Sequence, residues 1–271
     1  MGLSKQEIEK QKAERLGEEN YNYFGSLMRI IEYNGARDIT VEFQDEYKTV
    51  IKNREYKEFK KGVIKNPYDK EVCGVACIGV GRYKSRGEDG KKTLAYRYWR
   101  DMLDRCYNPY HLNERPTYID CYVCDEWLNF QNFAEWFYKN YYEIEGQKMQ
   151  LDKDILVKGN KIYSPETCVF VPQRINQLFI GQCRKRGGYP IGVVYYKPSN
   201  KLSAQCSIIG ENKERKNVHL GYFPLNKPFQ AFYAYKKFKE DYIKQIAKEY
   251  KNLIPRELYD TMMKYEVEIN D

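Results

Sequence analysis

A chain of 271 residues is longer than one small core usually organises, so two or three compact units are expected. Its formal charge of +8, from 46 Lys+Arg and 38 Asp+Glu, suits a polyanionic partner and equally an ordinary charged surface, so charge alone selects no function. No run of about 18 apolar residues occurs, and the segment from Met1 to Asn20 is charged rather than apolar; neither a membrane span nor a secretory signal is expected, and a cytoplasmic location is expected.

The 27 tyrosines are scattered among Lys and Arg, where a ring can pack while its hydroxyl stays wet or meets a phosphate; an AT-rich genome would give the same usage. Eight cysteines without a sign of export read as reduced thiols. Cys121-Tyr-Val-Cys124 is half of a zinc pattern, with Cys106 or His111 as conceivable further ligands. No second CxxC follows at finger-like spacing, so zinc is not expected.

In chain order, residues 1–20 alternate acidic and basic side chains and read as a helical arm. Residues 21–81 hold short runs of β-formers, Leu27–Ile31, Asp38–Phe43, Thr49–Ile51, Gly62–Ile64 and Val72–Val80. Ile39, Val41 and Phe43 alternate with Asp38, Thr40 and Glu42 as in a half-buried strand, and five such runs suggest a small SH3-like barrel. Residues 82–93 are Gly-rich and basic and read as a linker, which could follow a phosphate backbone or merely be solvated. From Leu94 the period becomes helical: Tyr96, Trp99, Met102, Leu103 and Cys106 share one face, and Trp127, Phe130, Phe133 or Ala134, and Phe137 share another. Both stripes read as core.

Residues 149–180 read as a strand, a Gly159-Asn160 turn, a second strand and a helix opening after Pro172. This ββα order, with Asp152 and Asp154 on the first strand, Ser164-Pro-Glu-Thr-Cys168 on the return and Asn176 four residues past Pro172, resembles the ββα-metal core of phage HNH-type endonucleases. The lead-in Trp99-Arg-Asp-Met-Leu-Asp-Arg-Cys-Tyr107 and Glu126-Trp-Leu-Asn-Phe-Gln-Asn-Phe133 extends the resemblance over about residues 94–180, within an expected domain of 94–182. The resemblance implies that Asp152 and Asn176 hold a Mg²⁺ or Mn²⁺ ion, that Asp154 assists, and that Asn160 holds the loop. Lys153 stands where the family's water-activating histidine would be, and the chain has only His111 and His219. A lysine acts as a base only if its pKa falls by several units, and neighbouring carboxylates raise it. Asp152 and Asp154 also fit a plain solvent-facing pair on a half-buried strand, alternating with Leu151, Lys153 and Ile155.

Residues 183–254 carry three strand-like runs, Pro190–Tyr196, Lys201–Ile208 and Asn217–Phe223, followed by an amphipathic helix over 228–250 with Phe229, Phe232, Tyr233, Ala234 and Phe238 as its core stripe. The pattern Gly192-Val193, Lys201-Leu-Ser-Ala204, His219-Leu-Gly-Tyr-Phe223 and Ala231-Phe-Tyr-Ala-Tyr235 resembles the AP2/ERF domain, whose three-stranded sheet lies in the DNA major groove with a helix behind it. Period-two geometry sets Ala204 and Cys206 toward that helix, and Val194, Tyr196, Ser203, Gln205, Ser207, Asn217 and His219 outward. Gln can pair bidentately with adenine and Val can touch a thymine methyl, so an A·T-containing site is expected. Arg184, Lys185, Arg186, Lys197, Lys201, Arg215 and Lys216 are the expected phosphate contacts. From Cys183 to Tyr222 eight Lys/Arg stand against two Glu, an excess of +6. Residues 255–271 read as a tail with a short helix and a strand-like end.

The expected architecture is therefore α+β and multi-domain: a small N-terminal β-barrel-like domain, a helical middle with an HNH-like ββα-metal motif, and a C-terminal three-stranded antiparallel sheet packed on one helix. The expected partner is double-stranded DNA rather than RNA or a membrane. Two functions remain open, a metal-dependent DNA endonuclease and a non-catalytic DNA-binding phage protein, a regulator or anti-defence factor, on a degenerate nuclease core.

Overall fold

The computed structural model describes residues 5–179, 188–210, 214–269 and 271. It is a mixed α+β chain that divides into two compact units, 1–139 and 140–271. Among the described residues no helix is long and apolar enough to cross a membrane.

In the first unit α1 (Lys5–Arg15) precedes an antiparallel sheet of β1 (Glu19–Tyr21), β2 (Leu27–Gly35), β3 (Asp38–Phe43) and β4 (Val50–Arg54), paired in that order. The arm is tied to the sheet by Arg15, whose guanidinium lies 4.1 Å from the centre of the Tyr56 ring and hydrogen-bonds the Tyr33 hydroxyl. Met28, Ile30, Tyr33, Ile39, Val41 and Phe43 fill one face of the sheet with Phe59 from α2 (Tyr56–Lys60) and Ile64. After a looped stretch the unit's remaining elements are α3 (Leu94–Tyr107), α4 (Pro109–Glu114), the two-residue β5 (Tyr122–Val123) and α5 (Phe130–Asn140). Thr93 caps α3 by accepting the Tyr96 N–H, and Trp99 on that helix is fully buried, its indole N–H donating to the Trp127 carbonyl at 2.6 Å.

The expected barrel does not form: four strands make an open meander. Neither Gly62–Ile64 nor Val72–Val80 is a strand. Cys73, Gly74 and Gly79 adopt positive φ, which breaks the extended run, and a buried carboxylate organises the preceding loop. Asp69 accepts hydrogen bonds from Asn22 Nδ2 at 2.7 Å, Ser26 Oγ at 2.6 Å and the Asn66 N–H at 3.0 Å.

In the second unit β6 (Met149–Asp152) and β8 (Val169–Pro172) pair antiparallel, with the two-residue β7 (Ile162–Tyr163) between them in sequence and α6 (Gln173–Phe179) following. Next come β9 (Val193–Tyr196), β10 (Lys201–Ile209) and β11 (Arg215–Phe223), an antiparallel sheet with β10 in the centre. The helix α7 (Pro228–Tyr250) runs 23 residues, about 35 Å at 1.5 Å per residue. Its first half supplies Ala231, Phe232 and Tyr235 to a core with Val193, Leu202, Ala204 and Cys206 of the sheet. Its second half supplies Tyr242, Ile243, Ile246 and Ala247 to a core with Val169, Val171 and Ile175 of the strand-turn-helix motif and with Leu258 and Met262 of α8 (Arg256–Lys264). One helix thus serves as the spine of both substructures. The expected stripe on α7 needs correcting: Phe229 and Tyr233 are 60% and 63% exposed, and the buried seam begins at Ala231. The chain after α8 is not a strand; Val267 is buried in the sheet's core and its N–H donates to Glu240 Oε1 at 2.8 Å.

Candidate functional site

With α7 covering one face of the three-stranded sheet, the opposite face carries the alternate residues. Lys201 lies opposite Tyr196, Ser203 lies between Val194 and Tyr222, Gln205 faces His219, and Ser207 faces Asn217. Ala204 and Cys206 are buried toward the helix, as the alternation requires. Val194, Tyr196, Asn217 and His219 are exposed and Gln205 and Ser207 half-buried. Ser203 is 5% exposed: its neighbours cover it and its Oγ lies 3.1 Å from His219 Nδ1, so it orients the imidazole instead of offering a free hydroxyl. Ser207 Oγ likewise donates to Asn217 Oδ1 at 2.5 Å, which fixes the amide. Lys197, Lys201, Arg215 and Lys216 are exposed at the ends and edges of these strands, whereas Arg184, Lys185 and Arg186 lie outside the described residues.

One member of this face was not anticipated. Tyr222 is 48% exposed, with its ring 5.1 Å from Tyr196 and 4.3 Å from His219, making an aromatic row across the sheet. Strict alternation counted from His219 would turn Tyr222 toward the helix. A β-bulge intervenes: Ala204 pairs with Gly221 and Gln205 with His219, so Leu220 is an extra residue in β11. Gly221 at φ +133° holds a conformation that side chains rarely allow, and that glycine is the sequence signal for the bulge.

In the strand-turn-helix motif, Met149 and Leu151 are buried while Gln150 and Asp152 share the other face of β6. Asn176 on α6 donates its amide to Gln150 Oε1, which brings the helix-borne asparagine to the strand face that carries Asp152. Asp152 Oδ1 accepts the N–H groups of Asp154 and Ile155, both at 2.9 Å, closing the strand end as an Asx turn. Burial, and after it the Asp154 carboxylate, push the Asp152 pKa up to about 6. Asn160 donates to the Lys153 and Ile162 carbonyls, both at 2.7 Å, and so holds the loop. Lys153 is buried, its ammonium bonded to Asp154 Oδ2 at 3.0 Å and the Asn160 carbonyl at 3.1 Å, with the Tyr163 ring 5.9 Å away. Those two bonds tie the Lys153 side chain into the loop. His111 sits on α4, in the other compact unit.

The residues on this face fit a hard divalent cation in kind. Asp152 supplies a carboxylate whose charge burial disfavours, and the amide oxygens of Asn176 and Gln150 are hard donors; Mg²⁺ commonly takes one or two carboxylates and keeps several waters. Among the described residues no group of three His, Cys, Asp or Glu side chains is gathered, at Cys121 and Cys124 or elsewhere. Because the Asp152 pKa is raised from its ordinary 3.8 to about 6, the ionised carboxylate costs stability that grows as pH rises through that window. Asp152→Asn keeps the acceptor for both N–H groups, and should stabilise the chain by about 1 kcal/mol at pH 8, with the gain vanishing toward pH 4, measured by urea denaturation at the two pH values.

Comparison with family models, with curated proteins and with solved structures returned no match.

Proposed function

We propose that this chain binds double-stranded DNA through the open face of the β9–β11 sheet, and that it is a phage-type protein combining an HNH-like strand-turn-helix core with an AP2-like reader. The observation that carries this reading is that one face of the sheet is left clear of α7. That face shows amide, imidazole and tyrosine groups in register, with Lys197, Lys201, Arg215 and Lys216 around them. A sheet of this width fits the major groove, where Gln205 and Asn217 meet adenine edges and Val194 a thymine methyl. The four cations contact phosphates and set the approach, and Arg184, Lys185 and Arg186 add to the same attraction.

Fluorescence anisotropy of a labelled duplex tests this. Four phosphate contacts predict that log K falls with log salt at a slope of about −3 to −4, steeper if further cations engage. No binding to duplex at low salt, or tighter binding to RNA of the same sequence, would overturn it.

A second reading, metal-dependent phosphodiester cleavage, is favoured by Asn176 reaching Gln150 on the face of β6 that also carries Asp152. Asp152, Asn176 and Gln150 would hold the ion, which when bound stabilises charge on the phosphate and the leaving oxygen. The water-activating base is absent from the motif, since Lys153 is committed to the loop. Supercoiled plasmid incubated with Mg²⁺ or Mn²⁺ separates the two outcomes: nicking lost in Asp152→Asn supports cleavage, and a mobility shift without nicking leaves the motif as a scaffold for DNA binding.

A further inference from the structure

The second unit contains a cavity of about 340 Å³ where the β10 edge, uncovered beyond β9, faces the strand-turn-helix motif. Its walls include Ile191, Val193, Phe179, Tyr235 and Tyr265, and its polar lining includes Gln205, Ser207, Asn217 and Gln177. A volume at the lower end of ligand pockets, with apolar walls and a few convergent polar groups, suits a compact organic molecule.

The charges of the lining settle its sign. Asp154 is taken by Lys153, and Asp271 by Lys158 at 2.7 Å. Lys239 of α7 and Arg215 of β11 also line the cavity, and neither makes an ion pair or hydrogen bond among the described residues. Burial lowers the pKa of Lys239, against a smaller opposing pull from the Cys206 thiol, the sign of an ammonium held away from water with no carboxylate beside it among the described residues. Two cations and no acid left unmatched among the described lining residues call for a dianion, and a phosphate monoester carries roughly −1.5 to −2 at pH 7.

We infer that this cavity binds a small phosphate ester of nucleoside monophosphate size, with the phosphate against Lys239 and Arg215 and the organic part against the tyrosine and aliphatic walls. The site is distinct from the proposed groove-reading of the sheet. Gln205, Ser207, Asn217 and Arg215 nevertheless border both, so an occupant would alter the face that meets DNA.

Isothermal titration of the full chain with thymidine monophosphate, inorganic phosphate and uncharged thymidine tests the proposal. The monophosphate should bind about tenfold more tightly than thymidine, and Lys239→Gln should weaken it about tenfold. Lys248→Gln, on the exposed side of α7, should leave it unchanged, and an unchanged urea midpoint would show that Lys239→Gln still folds. Absence of monophosphate binding, or equal affinity in Lys239→Gln, overturns the proposal. So does a Lys239→Gln defect confined to duplex DNA, which would assign the phosphate to the DNA backbone. Unchanged duplex binding by the sheet's own variants, with monophosphate binding retained, would refute groove-reading and leave this site standing.

Discussion

Replacing Asn160 by alanine is expected to destabilise the chain by about 2–4 kcal/mol, read from the midpoint of urea denaturation. Its amide donates to two carbonyls, of Lys153 and Ile162, and its Oδ1 accepts the Ile162 N–H at 3.2 Å. Truncation removes all three bonds and leaves the partners half-buried, where an unmet polar group costs about 1–3 kcal/mol. Asn160→Asp should recover only the acceptor bond, because a carboxylate cannot donate to either carbonyl. The functional reach of the change lies in what the loop carries: the Asn160 carbonyl also anchors the Lys153 ammonium, and Asp152 and Asp154 stand at the loop's start. A stability loss below about 0.5 kcal/mol would mean the loop is held by other contacts.

Gln205→Ala should cost about 1–3 kcal/mol, roughly 5- to 150-fold, on the best duplex recovered from a random library, while changing affinity for unrelated duplex little. Gln205 sits mid-strand in the central β10, opposite His219 and on the face away from α7. On the proposed reading a bidentate amide there would discriminate one base pair, so its loss should relax preference at that position alone. The complementary variant, Arg215→Gln, should weaken all duplexes alike and reduce the magnitude of the salt slope by about 1. Equal loss on all sequences for Gln205→Ala would remove it from base contact and place it among the supports of the sheet.

Much of this architecture follows from local pattern. Of the α3 stripe, Trp99, Met102, Leu103 and Cys106 are buried and Tyr96 is half-buried, and α7 spans Pro228–Tyr250 as the amphipathic period suggests. The outward set on β10 and its neighbours follows from period two, because one face of that sheet is covered and the other is not.

What sequence pattern missed has specific causes. Val72–Val80 is apolar enough for a strand, but Cys73 and Gly74 in the left-handed region and the Asp69 network turn it into loops, and a single chain offers no local sign of hydrogen bonds to Asn22 and Ser26 some 40 residues away. On α7, Phe229 and Tyr233 mimic a seam at four-residue spacing, whereas the true seam starts at Ala231, whose small side chain carries little pattern weight. For the strand-turn-helix motif, the acidic strand and the helix asparagine are visible in order, but the commitment of Lys153 to the loop is a matter of where its long side chain folds back. Gln150 escaped attention because an amide between two apolar residues is unremarked until Asn176 meets it.

The bulge in β11 sets the frame of the sheet's open face. With regular pairing from Tyr222 downward, Leu220 would take the place of His219 and Val218 that of Asn217, giving an aliphatic face with no imidazole and no amide from that strand. The single extra residue restores the frame, and Gly221 is what permits it. A chain that replaced Gly221 by a β-branched residue would therefore be pressed toward the other frame, keeping its composition, charge and helix while presenting a different text to whatever it meets.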